Sequence, residues 1–293
     1  MKKFIVVLFL ICSMCKSTDK INVDNLTCEY QINPLGIENA QPRLAWQLDS
    51  TERGARQTAY QILAASDSTM LLEGRADLWD SGKAPSDQST HVVYSGRPLS
   101  SRALVYWKVR VWDQQDQATE WSDTAHWERA LGTPDWQADW IGAPDESDDA
   151  DSSPLLRSEF FCREKPVRAR AYVTGLGYYE CFVNGGKIGD AVLAPAQTNY
   201  DRRRKEEWTQ SRIGNMKTRV LYNVFDITDT ILRGNNAVGM WLGSGWYRQN
   251  DRLDDVSLWY DTPRCLVQIE IEYEDGSSQT VVSNEKWKTA PSP

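Results

Sequence analysis

The stretch YVTGLGYYECFVNGGKIGD, residues 172–190, decides the fold. Ahead of its Asn-Gly-Gly corner, Tyr179, Cys181 and Val183 alternate with a second set, Tyr178, Glu180 and Phe182. A period of two residues is typical of a β-strand, and the corner at 184–186 supplies the positive φ angles of a tight hairpin turn. The stretch therefore predicts a β-hairpin. Aromatic residues on both faces of its first strand predict a core on one face and a neighbouring layer or a ligand on the other.

Strand patterns of the same kind continue to the C-terminus. In RCLVQIEIEYEDG (264–276), apolar residues from Val267 to Tyr273 alternate with Gln268, Glu270 and Glu272 before an Asp-Gly turn. No segment has the pattern of a long helix. We therefore predict an all-β chain in which residues 155–293 form a jelly-roll-type β-sandwich, incomplete at its C-terminal end.

The upstream residues 26–131 predict another sandwich. In LVYWKVRVWD (104–113), valines and Trp107 occupy one strand face, and Tyr106, Lys108 and Arg110 occupy the other, which predicts one buried and one solvent-exposed face. With Trp46 upstream and EWSDTAHW (120–127) downstream, the pattern is typical of a fibronectin type III or immunoglobulin-like sandwich. We expect Trp46 and Trp107 to lie in its core.

Residues 132–154 predict a linker between the two sandwiches. They begin with Gly and Pro and end in an acidic run, 145–151, that holds five carboxylates. Such a run does not bury itself, and it lacks the spacing and the glycine of a calcium-binding loop. We therefore expect an exposed linker without a metal.

Composition excludes several function classes. The net charge of −8 and the pI near 5.0 argue against a nucleic-acid partner. The chain has two histidines, His91 and His126, far apart in sequence, which argues against a zinc site or a histidine-based triad. Phosphate-binding, dinucleotide-binding and nucleophile-elbow motifs are absent from the sequence, so we expect no cofactor and find no catalytic constellation.

The first 20 residues predict a signal peptide. Lys2 and Lys3 precede an apolar run from Phe4 to Ile11, which is too short to span a membrane as a mature helix. Cys15, followed by a polar stretch, is a lipidation candidate, although Met14 departs from the small-residue pattern of a lipobox. We expect an exported protein of the periplasm or the outer-membrane surface, with a lipid as its membrane tether if Cys15 is modified.

Four cysteines follow the signal: Cys28, Cys162, Cys181 and Cys265. An even number in an oxidising compartment permits disulfides without fixing their pairing. Our hypothesis is a bond between Cys162 and Cys181, because both fall on early strands of the second sandwich that we expect to be neighbours.

Aromatic residues concentrate at MWLGSGWYRQN, residues 240–250. Sugars are bound by aromatic rings together with a few amide, carboxylate and guanidinium groups. The candidate carbohydrate-binding residues are therefore Trp246, Tyr247, Arg248, Asn250 and Trp241. Trp246 follows glycines and is expected on a loop, whereas core packing is the more frequent role for Trp241 in a strand.

The same residues carry a resemblance to a family. In order and spacing, these segments resemble the N-terminal β-sandwich of bacterial α-L-rhamnosidases, glycoside hydrolase family 78: Gly175 to Tyr179, Asn184-Gly185, Leu193 with Pro195, Thr198 with Tyr200, Phe225 to Thr228, Gly234 with Asn236, and Leu242 to Tyr247. Upstream, QTAYQI, LWDSGK, YWKVRVWD and DWQADWIG resemble the stretch that precedes that sandwich. Between Tyr200 and Val220 the chain is longer and more charged than the family pattern.

The resemblance implies a function for the parent enzyme. The family hydrolyses terminal α-L-rhamnosides by inversion, with two carboxylates in an (α/α)6 barrel. The barrel follows the region matched here, so the resemblance implies no catalytic residue in this chain, and it implies the barrel and a rhamnose-containing glycan or glycoside as partners. Three interpretations stay open: an accessory part of the enzyme that is inactive alone, a free carbohydrate-binding module, and a structural spacer with exposed apolar surface.

Overall fold

The computed structural model describes residues 21–144, 153–198, 200, 219–245, 247–248 and 260–292. The signal peptide, Cys15, the acidic run at 145–151 and the charged stretch between Tyr200 and Val220, apart from Arg219, lie outside these ranges. The chain divides into two compact units between Arg129 and Ala130. Within the described residues, no helix is long and apolar enough to cross a membrane.

The first unit is a sandwich of two antiparallel sheets. One sheet has the order β1-β2-β6, and the other has the order β4-β3-β7-β8, with β5 added to β3. The strands are β1 (Asn22–Cys28), β2 (Arg43–Asp49), β3 (Ala59–Ala65), β4 (Trp79–Asp80), β5 (Ala84–Pro85), β6 (Val92–Val93), β7 (Leu104–Trp112) and β8 (Ala125–Glu128). A five-residue helix, α1 (Ser68–Leu72), is capped by the Asp67 carboxylate, which accepts from the backbone N–H of Thr69. The predicted immunoglobulin-like sandwich is confirmed.

The core of the first unit contains the tryptophans that the sequence predicts there. Trp46 and Trp107 are buried, and Trp127 joins them. Alternate residues of β7, from Val105 to Val111, are fully buried, as the period of two requires.

The opposite face of β7 differs from the prediction at Lys108, which is buried rather than exposed to solvent. Its ammonium group donates to the carbonyl of Leu71 at the end of α1 and lies 4.9 Å from the ring centroid of Trp121. Burial, and then the charge of Arg110, lower the pKa of Lys108. Because α1 covers this part of the sheet, the strand alternation alone predicts the wrong environment for Lys108.

The second unit is also a sandwich. One sheet has the order β13-β12-β15-β10-β18, and the other has the order β14-β11-β16-β17, with β9 added to β16. Its strands are β9 (Ile141–Gly142), β10 (Leu155–Cys162), β11 (Arg168–Leu176), β12 (Tyr178–Val183), β13 (Gly186–Lys187), β14 (Asn223–Asp226), β15 (Gly234–Gly243), β16 (Arg264–Glu272), β17 (Ser278–Val282) and β18 (Lys288–Ala290). Apolar residues of both sheets fill the space between them in one core.

The predicted hairpin is present as β12 and β13. Val183 pairs with Gly186, so the turn consists of Asn184 and Gly185. Their φ angles are 51° and 83°. Two successive positive φ angles define the type I′ turn, whose twist matches that of the flanking strands, and an Asn-Gly pair adopts them most readily.

Part of the predicted linker packs on the second unit. A short 3₁₀ turn, Thr133–Asp135, precedes Trp136, whose ring meets Tyr172 and Tyr222 at centroid distances of 6.3 and 5.2 Å. The backbone N–H of Asp139 donates to the carbonyl of Ser283 at 2.8 Å, and β9 pairs with β16. Trp136 therefore packs on one sheet and β9 extends that sheet, so residues 132–142 are part of the second unit and do not form an exposed tether.

The cysteine hypothesis is wrong. All four cysteines of the described residues are buried free thiols. Cys162 lies on β10 and Cys181 on β12, and β15 lies between those strands. Two strand spacings separate the strands by about 9.5 Å, which exceeds the reach of a disulfide.

Candidate carbohydrate-binding face

Trp241 is the aromatic residue that the fold leaves most open among the predicted site residues that it describes. It lies on β15, in the middle of the five-stranded sheet, with 41% of its surface exposed. The residues two positions away on the same strand face are Gly239 and Gly243. Because glycine has no side chain, nothing from β15 itself covers either edge of the indole ring.

The neighbouring strands supply the surroundings of Trp241. Glu180 on β12 and Leu155 on β10 are its cross-strand partners. Phe182 lies one row further, beside Gly239. We name the outer surface formed by Leu155, Glu180, Phe182, Gly239 and Trp241 the Trp241 face. It combines an exposed indole, a half-buried phenyl ring and a glycine floor, which is an open and partly apolar surface.

Charged groups flank this face on two sides. The Lys187 ammonium lies 2.6 Å from the Glu180 carboxylate, and the Arg157 guanidinium lies 2.6 Å from the Glu159 carboxylate. Both pairs are partly exposed, so they contribute little to stability and remain accessible to solvent. They offer hydrogen-bond donors and acceptors beside an aromatic ring, which is the combination that a sugar needs.

The other predicted site residues follow β15 in the sequence. Trp246 and Asn250 lie outside the described residues, so their role stays a prediction. Tyr247 is 8% exposed and stacks on Tyr260 with a centroid distance of 5.5 Å and an interplanar angle of 18°. Tyr200 contacts the Tyr247 ring edge-on at 5.5 Å.

This tyrosine cluster leaves little of Tyr247 for a ligand. Burial, and then the charge of Asp261, raise the pKa of its hydroxyl. Arg248 is half-buried, and its backbone N–H donates to the carbonyl of Ser244 at 3.2 Å. Tyr247 and Arg248 therefore help to build the corner after β15, whereas Trp241 lies on the open sheet.

Glycines fix the shape of that corner. A side chain on Gly177 would place its Cβ 2.4 Å from the carbonyl oxygen of Gly243, and one on Gly245 would meet the Tyr178 ring at 2.6 Å. Both residues also have positive φ angles, 97° and 49°. The close approach explains why the motifs at 175–179 and 242–247 both contain glycine.

Two tryptophans of the first unit, Trp112 and Trp121, already contact cations. In the first unit Arg110 lies between the rings of Trp112 and Trp121, with guanidinium-to-centroid distances of 5.0 and 4.6 Å. Lys83 and Lys108 also approach these rings, each at 4.9 Å. Cations already use these π-faces, so neither ring is open to a sugar in the way that Trp241 is.

Sequence reasoning missed the partners of Trp241. The alternation in β12 does place Glu180 and Phe182 on one strand face, but which strand lies beside β15 depends on pairing across more than 50 residues. Within the described residues, no group of three or more His, Cys, Asp or Glu side chains is arranged to hold a metal ion.

The architecture defines the class of the protein. It is an all-β chain with an immunoglobulin-like sandwich followed by a jelly-roll-type sandwich. Residues 23–133 match the family described as the Rha78A-like, N-terminal immunoglobulin domain. Residues 164–208 and 205–293 match the alpha-L-rhamnosidase N-terminal domain.

Similar proteins agree with both matches. An alpha-L-rhamnosidase of Formosa agariphila is 31% identical over 99% of this chain and 32% of its own length. An alpha-L-rhamnosidase of Alteromonas sp. is 33% identical over 99% of this chain and 31% of its own length. The solved alpha-L-rhamnosidase of Dictyoglumus thermophilum superposes with a TM-score of 0.79 and 34% identity over 93% of this chain and 30% of that one.

The chain belongs to the α-L-rhamnosidase family, glycoside hydrolase family 78, and corresponds to its N-terminal domains. It spans about a third of the length of the curated relatives that it matches.

Proposed function

We propose that this chain is the N-terminal accessory region of an exported α-L-rhamnosidase, and that it recognises rhamnose-containing glycans through the Trp241 face. The open indole of Trp241 carries the proposal. An exposed indole ring stacks against the C–H face of a sugar, while the Glu180–Lys187 pair bonds to its hydroxyls.

Hydrolysis is assigned to the parent enzyme. Its proposed reaction is the inverting cleavage of terminal α-L-rhamnosides by two carboxylates in the barrel. The relatives that carry the name α-L-rhamnosidase are about three times as long as the aligned region, which supports placing catalysis outside it. We expect the chain alone not to cleave p-nitrophenyl α-L-rhamnopyranoside.

Export is part of the same proposal. The two N-terminal lysines and the apolar run after them support a signal peptide, and Cys15 is the residue at which a lipid would attach. A periplasmic or outer-membrane location would bring the sandwiches into contact with glycans outside the cytoplasm.

The experiment is a calorimetric titration of the purified chain with methyl α-L-rhamnopyranoside. Trp241→Ala should weaken binding about tenfold or more, equivalent to about 1.4 kcal/mol. Trp140→Ala is the matched control, because Trp140 is a similarly exposed tryptophan of the same unit, at 38%, and directly precedes β9 of the other sheet. Equal affinities for the wild-type chain and Trp241→Ala, or no binding by the wild-type chain, would contradict the proposal.

A structural role is the second candidate, and the apolar content of the same sheet favours it. Phe161, at 62% exposure, lies on the same outer surface of β10 as Leu155. Exposed apolar groups of this kind also suit contact with another protein domain. Absence of sugar binding, together with self-association that Trp241→Ala reduces, would favour this alternative.

A further inference from the structure

A groove of about 500 Å³ opens at the side of the second unit, between the edges of β10 and β17. β18 pairs with β10 only from Leu155 to Arg157, so the remainder of that edge of β10 faces the groove. At the far end, the side-chain amide of Gln279 donates to the carbonyl of Phe161 at 3.0 Å. The β10–β17 groove is therefore closed at both ends, and its volume is that of a small-ligand pocket.

The charges of this groove are unbalanced. Its lining includes three cations, Arg157, Lys286 and Lys288, and one carboxylate, Glu159. Glu159 is paired with Arg157 at 2.6 Å. Neither lysine ammonium has an ion-pair partner among the described residues. The chain as a whole carries a net charge of −8, whereas the lining of this groove carries a net positive charge.

Strand pairing brings two of these cations together. Arg157 and Lys288 are directly opposite each other on β10 and β18. Like charges in that position repel, and a single carboxylate does not neutralise both. An anion in the groove would remove this repulsion.

The rest of the lining suits a sugar ring. Phe160 and Val281 are partly buried against the core and form an apolar floor. Ser158 and Asn284 add neutral polar groups. Phe161 directs its carbonyl toward Gln279. Alternate residues of a strand direct their backbone groups to the same side, so the backbone N–H of Glu159 also faces the groove.

We propose that the β10–β17 groove binds an anionic sugar residue, one that carries a carboxylate or a sulfate group. Lys286 and Lys288 contact the charged group, and Phe160 and Val281 contact the ring. Ammonium groups form charge-assisted hydrogen bonds with both kinds of anion. This inference rests on the proposed function, because it takes the ligand to be a carbohydrate. It concerns a neighbouring groove that Trp241 does not line, although Arg157 and Glu159 border both sites, and it concerns a different chemical class of sugar.

The test is calorimetric titration of the purified chain at low salt with three ligands: methyl glucuronide, glucose 6-sulfate and methyl glucoside. We expect one or both anionic sugars to bind and the neutral glucoside not to bind. The double variant Lys286→Gln/Lys288→Gln should lower the affinity at least tenfold. Raising the salt from about 0.01 to about 0.3 M should also weaken binding, because exposed charges are screened.

Two controls separate this proposal from the preceding one. Lys165→Gln removes an exposed lysine of the same unit outside the groove and should leave binding unchanged. Trp241→Ala should also leave it unchanged, whereas the double lysine variant should not affect binding of the neutral rhamnoside. Equal binding of the neutral and the anionic sugars, full affinity in the double variant, or no binding of either anionic sugar would overturn the proposal.

Discussion

The side-chain amides of Asn184 and Asn236 are joined by a hydrogen bond of 2.8 Å, although the residues are 52 positions apart. Asn184 is in the hairpin turn, and Asn236 is at the start of β15. Asn184 also accepts from the backbone N–H of Ala237 at 2.9 Å. Asn236 accepts from the backbone N–H of Leu232 and donates to the carbonyls of Leu232 and Gly234. Two short motifs thus fix one corner of the second unit.

Replacing Asn236 by Ala should destabilise the second unit. Asn236 is 3% exposed, so its loss leaves the N–H of Leu232 and the carbonyls of Leu232 and Gly234 without their side-chain partner. The Asn184 amide also loses one of its bonds but keeps the one to the carbonyl of Thr230. We expect the free energy of unfolding to fall by about 2 kcal/mol. Urea denaturation measures it, and the exposed neighbour Asn235, changed to Ala, is the control. Equal stability of the two variants would show that the corner does not depend on this amide.

Gly185→Ala tests the hairpin turn. Nothing lies within 4 Å of a Cβ placed there, so the cost comes from the φ of +83° alone. An L-residue in this conformation is strained by about 1 kcal/mol. Gly186→Ala, one residue on and without a positive φ, should change the thermal unfolding temperature much less. If both alanine variants unfold at the same temperature as the wild-type chain, the turn is not of the type described.

Asp226 should make stability depend on pH. Its carboxylate lies 2.8 Å from the guanidinium of the buried Arg170 and accepts from Thr228. Burial opposes the shift, but these hydrogen bonds and the charge of Arg170 lower the pKa of Asp226 below 3.8. The stabilisation is therefore complete above that value and is lost as the pH falls through the lower pKa of the folded state.

Asp226→Asn is accordingly expected to lower the free energy of unfolding at pH 7 by about 1 kcal/mol, a modest value because the carboxylate is half-exposed. The difference from the wild-type chain should shrink as the pH falls below 3.8. Asp229→Asn, whose carboxylate is 98% exposed, serves as the control and should show no such trend. A difference that stays constant with pH would exclude a role for the carboxylate charge.

The four buried cysteines should be free and unreactive in the folded protein. Burial raises the pKa of Cys181 to about 12, and burial together with Glu29 raises that of Cys28 to about 12. Burial also raises the pKa values of Cys162 and Cys265. Because the thiolate is the reactive form, alkylation at pH 8 should label none of them before unfolding.

Unfolding without a reductant should then expose all four thiols, and peptide mapping by mass spectrometry identifies each site. The same labelling is expected after reduction. Alkylation of Cys162 or Cys181 that requires a reductant would show that the protein forms a disulfide that this fold does not contain.

The sequence by itself determined the β-structure and the turn. The period of two residues separates buried from exposed positions within one strand, and the Asn-Gly pair specifies a type I′ turn, because both signals act over a few residues. The burial of Trp46 and Trp107 follows from the same local pattern, since large apolar side chains on one face of a strand are buried in a core.

Tertiary structure decided everything that depends on which strands are neighbours. The insertion of β15 between β10 and β12 separates Cys162 from Cys181 and gives Trp241 its partners Leu155 and Glu180. Lys108 is buried because α1 covers it, although its place in the strand alternation is on the outer face. Pairing between distant strands is set by the whole core and not by local sequence, and for that reason the Trp241 face and the β10–β17 groove appear only in the folded chain.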